Sequence, residues 1–199
     1  MDSTMWDARY ASSELIWSAD PNQFVREHFQ GKAPGRIVDL GCGEGRNAIW
    51  LAEQGWTVTA VDFSAVALEK TEALAKRRGV SLEIQNADLT SWRCDPPAYH
   101  AALLCYIHFP LATLATIWRA AFESLLPGGE VLIIGHHSRN LAEGVGGPQA
   151  AEVLFSPADV MEVLGAENII EARDVTRKVE SESGSALAID ALVVARRPG

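Results

Sequence analysis

The segment VDLGCGEGRNAIW, residues 38–50, constrains the fold of this chain more than any other stretch. A short apolar run that includes Asp39 leads into a glycine-rich turn, and the residues after the turn have the pattern of a helix. A strand, a glycine loop and a helix in this order are typical of nucleotide-binding α/β sheets. The segment therefore predicts a loop whose backbone closely approaches a bound small molecule.

Strand-like and helix-like segments alternate along most of the chain. Apolar, often β-branched runs predict strands at 35–40, 56–62, 81–88, 100–106 and 130–135, with two more on either side of the turn ESGS. Helices are predicted at 46–54, 65–78, 111–126 and 157–164 from their apolar spacing and their capping residues. This alternation predicts an α/β fold with a Rossmann-like, doubly wound, seven-stranded and mostly parallel sheet, in which the final hairpin makes one strand antiparallel.

Length and charge limit the kind of protein. A chain of 199 residues predicts a single domain, 1–199, with an N-terminal helical cap at 1–30 and a core at 31–199. The net charge of −9 disfavours nucleic acid or an anionic membrane as a partner. Three scattered cysteines without CxxC spacing indicate neither a disulfide framework nor a metal site. With no pattern of a signal peptide or membrane span, we expect a cytoplasmic location.

The spacing within the glycine loop separates two kinds of ligand. A dinucleotide site has the pattern GxGxxG, which Gly41 and Gly43 fit, but Arg46 stands in the place of the third glycine. Asp39, just before the loop, suits a cationic ligand without phosphate better than a pyrophosphate. S-Adenosylmethionine has an amine, a sulfonium and no phosphate. A nicotinamide-dependent oxidoreductase on a similar sheet is the alternative that these residues disfavour.

Acids at the ends of the next two strands support the same ligand. Asp62 ends the second strand, where a carboxylate commonly accepts from both ribose hydroxyls, although a helix cap is an alternative role. Asp88 follows the third strand in NADL and can accept from an adenine amine, with Leu89 packing on the ring; a surface turn is the alternative. The stretches DLGCGEG, VDFS and NADL together predict a site for S-adenosylmethionine.

On these motifs the chain resembles the class I S-adenosylmethionine-dependent methyltransferases. The stretches GCGEGRNAIWLAEQGWTVTAVDFS and WDARY are similar to the small-molecule branch that includes the tellurite-resistance and thiopurine methyltransferases. The resemblance implies a sheet in the order 3-2-1-4-5-7-6 with strand 7 antiparallel. It also implies the following cofactor-binding residues: Asp39, Gly41, Gly43 and Arg46 for the methionine part, Asp62 for ribose, Phe63, Asp88 and Leu89 for adenine, and Cys105 for the amine through its carbonyl.

The methyl acceptor is expected at the ends of the fourth and fifth strands. His108, His136 and His137 are candidate general bases because a histidine titrates near neutrality; contacts of polar loops are the alternative. Aromatic side chains expected to surround the acceptor are Trp6, Tyr10, Tyr106 and Phe109, although Trp6, Tyr10 and Trp17 are equally consistent with packing. The predicted function is methyl transfer to a thiol, chalcogen or hydroxyl of a small molecule. A protein that binds the cofactor without turnover is the alternative.

Overall fold

The computed structural model describes Trp6, Asp7, Tyr10, Ala11 and residues 20–181 and 184–199, with backbone alone at 180, 181 and 184. Its strands are β1 Arg36–Leu40, β2 Thr57–Asp62, β3 Glu83–Asn86, β4 Tyr99–Cys105, β5 Leu125–His136, β6 Ile169–Ser181 and β7 Gly184–Arg196. Its helices are α1 Gln23–Phe29, α2 Arg46–Glu53, α3 Ala65–Arg78, α4 Leu111–Glu123, α5 Asn140–Glu143 and α6 Pro157–Leu164.

The seven strands form one sheet in the order β3-β2-β1-β4-β5-β7-β6. The first five strands are parallel, whereas β7 runs antiparallel to both of its neighbours, β5 and β6. The predicted α/β class and the strand order implied by the resemblance are therefore confirmed. Because the carboxyl ends of parallel strands meet at one edge, the segments after β1, β2, β3, β4 and β5 lie on the same side of the sheet.

Apolar side chains cover both faces of the sheet, which is why its central strands have continuous apolar sequences. On one face α4 and α6 pack over β4, and Trp118 meets Phe155 edge-on with ring centroids 5.1 Å apart. On the other face α1, α2 and α3 pack over β1, and Phe29 meets Trp56 at 5.4 Å. Helices on both faces make this a doubly wound sheet.

The chain departs from the sequence-based boundaries between α4 and β5. The predicted helix extends to residue 126, but α4 ends at Glu123, and the PGG that was expected to stop the helix lies within β5. Leu125 is fully buried and pairs with Tyr99, whereas Glu130 pairs with Ala101, so the residues between them form a bulge. Burial of Leu125 thus draws the strand across a sequence that by itself favours a turn.

Two further segments complete the described fold. Of the predicted cap at 1–30, the structure describes α1 and short helical pieces at residues 6–7 and 10–11, while Trp17 lies outside the described residues. The polar segment 136–155 contains α5, a 3-10 turn at Ala151–Val153 and a bridge between His137 and Phe155. Within the described ranges, no helix is both long and apolar enough to cross a bilayer.

Candidate functional site

The glycine loop after β1 folds back over the end of β2. The amides of Gly41 and Cys42 both donate to the carbonyl of Val61, at 2.7 and 3.0 Å. Gly41 has φ +75°, and a Cβ on it would lie 2.2 Å from Cδ1 of Ile107. A side chain here would meet both backbone strain and a clash, so the tight turn requires glycine.

Asp62 links this loop to the start of α3. Its Oδ2 accepts from the amide of Gly43 and its Oδ1 from the amide of Ser64, each at 2.9 Å. Burial raises the pKa of this carboxyl, and the three nearby backbone amides oppose that rise. Each oxygen keeps a further lone pair, and Asp62 also lines the cavity described below. The cap of α3 is Ser64, whose hydroxyl accepts from the amide of Ala67 at 3.1 Å, so Asp62 orders the turn before the helix and faces the space where a ribose is expected.

Asp39 carries a buried carboxylate that is unpaired among the described residues. It is 1% exposed, and neither oxygen has a hydrogen-bond partner among the described residues. Burial, followed by the charge of Asp62, raises the pKa of Asp39 to about 7, while Arg46 opposes the rise. The nearby backbone amide of Ala48 also lowers the pKa of this carboxyl. Since an isolated buried charge is costly, this site fits a ligand that brings a cation or donor.

A cavity of about 250 Å³ opens at this edge of the sheet. Ten residues predicted from the sequence line it: Trp6, Tyr10, Gly41, Asp62, Phe63, Asp88, Leu89, Tyr106, His108 and Phe109. Thr90 and Ile107 complete the wall. The cavity thus brings together the ends of β1, β2, β3 and β4 with the N-terminal segment. The carboxylates of Asp62 and Asp88 and the loop at Gly41 fit S-adenosylmethionine. When bound, this cofactor supplies a methyl group that is already activated by its sulfonium.

The N-terminal residues are tied to the site by polar contacts. Lys70 of α3 donates to the carbonyl of Tyr10 at 2.6 Å and pairs with the buried Glu44 at 3.0 Å. The hydroxyl of Ser64 donates to Asp7. The rings of Trp6 and Tyr10 lie 5.6 Å apart, and both line the cavity. The two side chains therefore pack on each other and also form a wall of the cavity.

Asp88 begins a tight turn at the far side of the cavity. Its Oδ1 accepts from the amide of Thr90 at 2.8 Å, and its carbonyl accepts from the amides of Ser91 and Trp92. The side chain is exposed, whereas Leu89 is buried. The surface turn considered from the sequence is present, and Asp88 nevertheless lines the cavity.

Six other predicted residues lie outside the cavity lining. Asp39 lies in β1, Gly43 lies in the glycine loop, Arg46 begins α2 and Cys105 ends β4. His136 ends β5, and His137 follows it. Burial raises the pKa of Cys105 to about 12, so its thiol stays protonated. The individual roles of all these residues stay predictions. No group of three or more potential metal ligands occurs in the part of the chain that the structure describes.

The acceptor side contains a buried polar cluster that none of the sequence motifs predicted. Oδ2 of Asp190, on β7, accepts from the hydroxyl of Tyr106 at 2.7 Å and from Nε of Arg177, on β6, at 2.8 Å. Tyr106 has φ +60°, which is unusual for a side chain of this size and typical of functional sites. Burial, together with the charge of Asp190, raises the pKa of Tyr106, which keeps its hydroxyl protonated. The available signal was an acid within the apolar strand LAIDALVVA.

Comparison with known proteins agrees with this geometry. Residues 37–129 match the family described as "Methyltransferase domain". The chain is 46% identical over 70 residues to a ribosomal RNA small subunit methyltransferase C of Alcanivorax borkumensis, covering 35% of this chain and 21% of the relative. It is 27% identical to a ubiquinone biosynthesis O-methyltransferase of Idiomarina loihiensis, covering 65% and 53%.

A solved structure described as "Conversion of a Disulfide Bond into a Thioacetal Group during Echinomycin Biosynthesis" has a similar fold. Its TM-score is 0.76 at 21% identity, with 98% of this chain and 92% of that chain covered. The chain spans less than two thirds of the length of the two curated relatives named above.

Residues 37–129, a little under half of the chain, are therefore similar to a methyltransferase domain, and the order of the strands agrees with the sheet that the resemblance implies. The comparisons agree with the predicted enzyme class and methyl donor for these residues. The narrower resemblance to tellurite-resistance and thiopurine methyltransferases stays a prediction, because the curated relatives include RNA methyltransferases as well as an enzyme of quinone biosynthesis.

Proposed function

We propose that this chain transfers the methyl group of S-adenosylmethionine to a thiol, chalcogen or hydroxyl of a small molecule. The observation that carries the proposal is the cavity, in which Gly41, Asp62 and Asp88 from three strand ends meet aromatic side chains of the acceptor side. Asp39 lies buried behind the same loop without a partner among the described residues. In this assignment its carboxylate receives the cationic end of the cofactor, and Asp62 receives the ribose.

The residues of the chain mainly align the reaction. The methyl group needs an in-line approach by the acceptor, and holding two reactants in line contributes several kcal/mol of rate acceleration, on the order of 7–11 in favourable systems. Trp6, Tyr10 and Phe109 exclude water from the cavity and provide an apolar surface for the acceptor. His108 lines the cavity and is stacked on His136, so the acceptor's proton is expected to leave through this pair.

The size and charge of the site support a small acceptor. The cavity is about 250 Å³, and the chain carries a net charge of −9, which opposes binding of a polyanion. One curated relative is named for methylation in ubiquinone biosynthesis, whereas another is named for ribosomal RNA. On the same grounds we propose that nucleic acid is not the substrate. That residues 1–199 form a single domain acting in the cytoplasm also stays a proposal.

The test is transfer of a labelled methyl group to a panel of acceptors. The panel contains thiophenol, catechol, selenite and a ribosomal RNA fragment, each incubated with labelled S-adenosylmethionine. We expect label in at least one small acceptor and none in RNA. Label in RNA alone would contradict the small-molecule assignment, and cofactor binding without any transfer would favour a binding protein.

A further inference from the structure

Tyr106 is the one residue other than glycine with a positive φ in the described ranges of the chain. Its φ is +60°, a backbone conformation that costs free energy in a tyrosine and persists only where the surrounding structure holds it. The residue directly follows β4, and its amide donates to the carbonyl of Ile134 on β5 at 2.8 Å. The backbone is thus anchored to the neighbouring strand, and the side chain supplies the further contacts that hold this turn.

The side chain of Tyr106 extends beyond β5 to the antiparallel pair β6 and β7. Its hydroxyl donates to Oδ2 of Asp190 on β7 at 2.7 Å and accepts from Nε of Arg177 on β6 at 3.0 Å. In the sheet, β7 is two strands away from β4, which leads into the tyrosine. The ring centroid lies 4.8 Å from that of His136, the last residue of β5. The hydrogen bonds of the hydroxyl therefore hold the ring across the end of β5.

Tyr106, Arg177 and Asp190 together form a tyrosine clamp. Nε of Arg177 donates to Oδ2 of Asp190 at 2.8 Å as well as to the hydroxyl, so each of the three groups contacts the other two. Asp190 is fully buried, and because its Oδ1 has no hydrogen bond to a described residue, Oδ2 alone fixes the carboxylate. The guanidinium carbon of Arg177 also lies 5.4 Å from the ring centroid of Tyr106, in a cation–π contact. The clamp therefore holds both the hydroxyl and the ring.

The next residue ties the same turn to the glycine loop. Cδ1 of Ile107 packs against Gly41, and a Cβ on that glycine would lie only 2.2 Å from it. Tyr106 and Ile107 both line the cavity. Because the glycine loop holds one side of the turn and the tyrosine clamp holds the other, the ring of Tyr106 is a fixed part of the cavity wall.

The wall around this ring is rich in aromatic side chains. Stacked and edge-to-face arrangements of rings are favourable, but they require rings that keep their orientation. A small aromatic molecule therefore finds suitable partners in a wall of fixed rings. Six of the twelve residues that line the cavity are aromatic: Trp6, Tyr10, Phe63, Tyr106, His108 and Phe109.

We propose that Asp190 and Arg177 are positioning residues, which fix the ring of Tyr106 as a wall of the cavity against which an aromatic methyl acceptor binds. This inference rests on the proposed function and narrows its small molecules to phenols and thiophenols. Neither Asp190 nor Arg177 belongs to the cavity wall that the described residues form, so both act through Tyr106. The cofactor is assigned to other strand ends, so loss of the clamp weakens binding of the acceptor and leaves that of the cofactor intact.

Tyr106→Phe tests the clamp with the ring left in place. The change removes the hydroxyl only, and Asp190 keeps its pair with Arg177, so the variant is expected to fold. Calorimetry measures the binding of catechol to protein saturated with S-adenosylhomocysteine. We expect catechol to bind about tenfold more weakly, which corresponds to the loss of one hydrogen bond, and the affinity for S-adenosylhomocysteine to stay within about twofold.

A double-mutant cycle of Tyr106→Phe with Asp190→Ala shows whether the hydroxyl and the carboxylate act as one unit. Both single changes break the same hydrogen bond, so the double variant should also lose about tenfold in catechol affinity, and not about a hundredfold. Arg177→Met takes the place of Asp190→Ala in the cycle if that variant does not fold.

Two further variants separate positioning from a general disturbance of the fold. In Asp190→Asn an amide oxygen still accepts from Tyr106 and Arg177, so catechol affinity should stay within about threefold of wild type. Asp174→Ala is the matched control, because it removes a carboxylate of β6 that lies outside the clamp, and its catechol affinity should equal that of wild type.

Unchanged catechol affinity in Tyr106→Phe, or a double variant whose loss is the product of the two single losses, would overturn the proposal. Methylation of selenite by a wild type that binds neither catechol nor thiophenol would overturn the aromatic acceptor. Failure of the proposed function would appear differently, as absence of methyl transfer by the wild type to every small acceptor of the panel, whereas the binding of catechol is measured without transfer.

Discussion

The two halves of the site are built by different means. The cofactor half is formed by the ends of β1, β2 and β3. Here short local motifs position the cofactor-binding side chains, as when Asp62 accepts from the amides of Gly43 and Ser64. In the acceptor half, side chains from distant strands complete one another, as when Tyr106 donates to Asp190, which lies 84 residues further along the chain. The comparison teaches that a common cofactor requires only a local motif, whereas the acceptor half depends on the tertiary fold.

Among the substitutions that test whether the two halves are independent, Asp190→Ala is expected to have the largest effect, a loss in the free energy of unfolding. The change leaves Arg177 and the hydroxyl of Tyr106 without their shared acceptor, and breaking a buried pair costs about 3 kcal/mol or more. Chemical denaturation should therefore show a loss of about this size in the free energy of unfolding. Calorimetry should show an affinity for S-adenosylhomocysteine within twofold of wild type.

The matched control for this experiment is Asp174→Ala. Asp174 pairs with Arg139 and His137 at the surface, with 39% of its side chain exposed, so its loss is expected to cost less than about 1 kcal/mol. A large fall in cofactor affinity in Asp190→Ala would show that the halves are not separate. Similar losses of stability in both variants would show that the buried position of Asp190 is not what makes its loss costly.

Within the cofactor half, Asp62→Ala should weaken binding of S-adenosylhomocysteine about a hundredfold, which is about 2.7 kcal/mol. The carboxylate both faces the cavity and anchors the glycine loop, so two contributions are lost together. Asp88→Ala is the comparison, and we expect a tenfold loss or less, because this exposed side chain anchors only its own turn. Calorimetry at one pH measures both, and equal losses would remove the special role of Asp62.

A smaller effect is expected from pH, through Asp39. In the free protein its pKa is raised to about 7 by burial, so below pH 7 it is mostly protonated. If the carboxylate receives the ammonium group of the ligand, binding releases a proton, and affinity rises by up to about tenfold per pH unit until pH 7 and then levels off. Calorimetry between pH 5.5 and 8 measures this slope.

Asp39→Asn is the control for the pH dependence. The amide cannot ionise, so this variant should bind more weakly and with little change across the same range. Asp62 and Arg46 lie near Asp39 and influence its pKa, but they are unchanged in the control. A wild type whose affinity does not vary between pH 5.5 and 7 would contradict the placement of the cationic group at Asp39.

The difference between the halves also explains what the sequence predicted. The strand–loop–helix pattern around Gly41 and the acid at the end of β2 were accessible, because hydrophobic periodicity and turn residues are local signals. The strand order followed only from the family resemblance. Asp190 and Arg177 were missed since their partners come from other strands. The predicted start of β5 was wrong for a related reason. Burial of Leu125 and its pairing with Tyr99, which lies in another strand, overcome the turn preference of PGG.

The central claim is that the cavity at the glycine loop is a site for S-adenosylmethionine and its product. Titration calorimetry of the wild-type chain with S-adenosylhomocysteine and, separately, with NAD tests it most directly. We predict binding of S-adenosylhomocysteine in the micromolar range or tighter and no measurable binding of NAD, because Arg46 stands where a dinucleotide site has its third glycine. Binding of NAD without binding of S-adenosylhomocysteine would contradict the account.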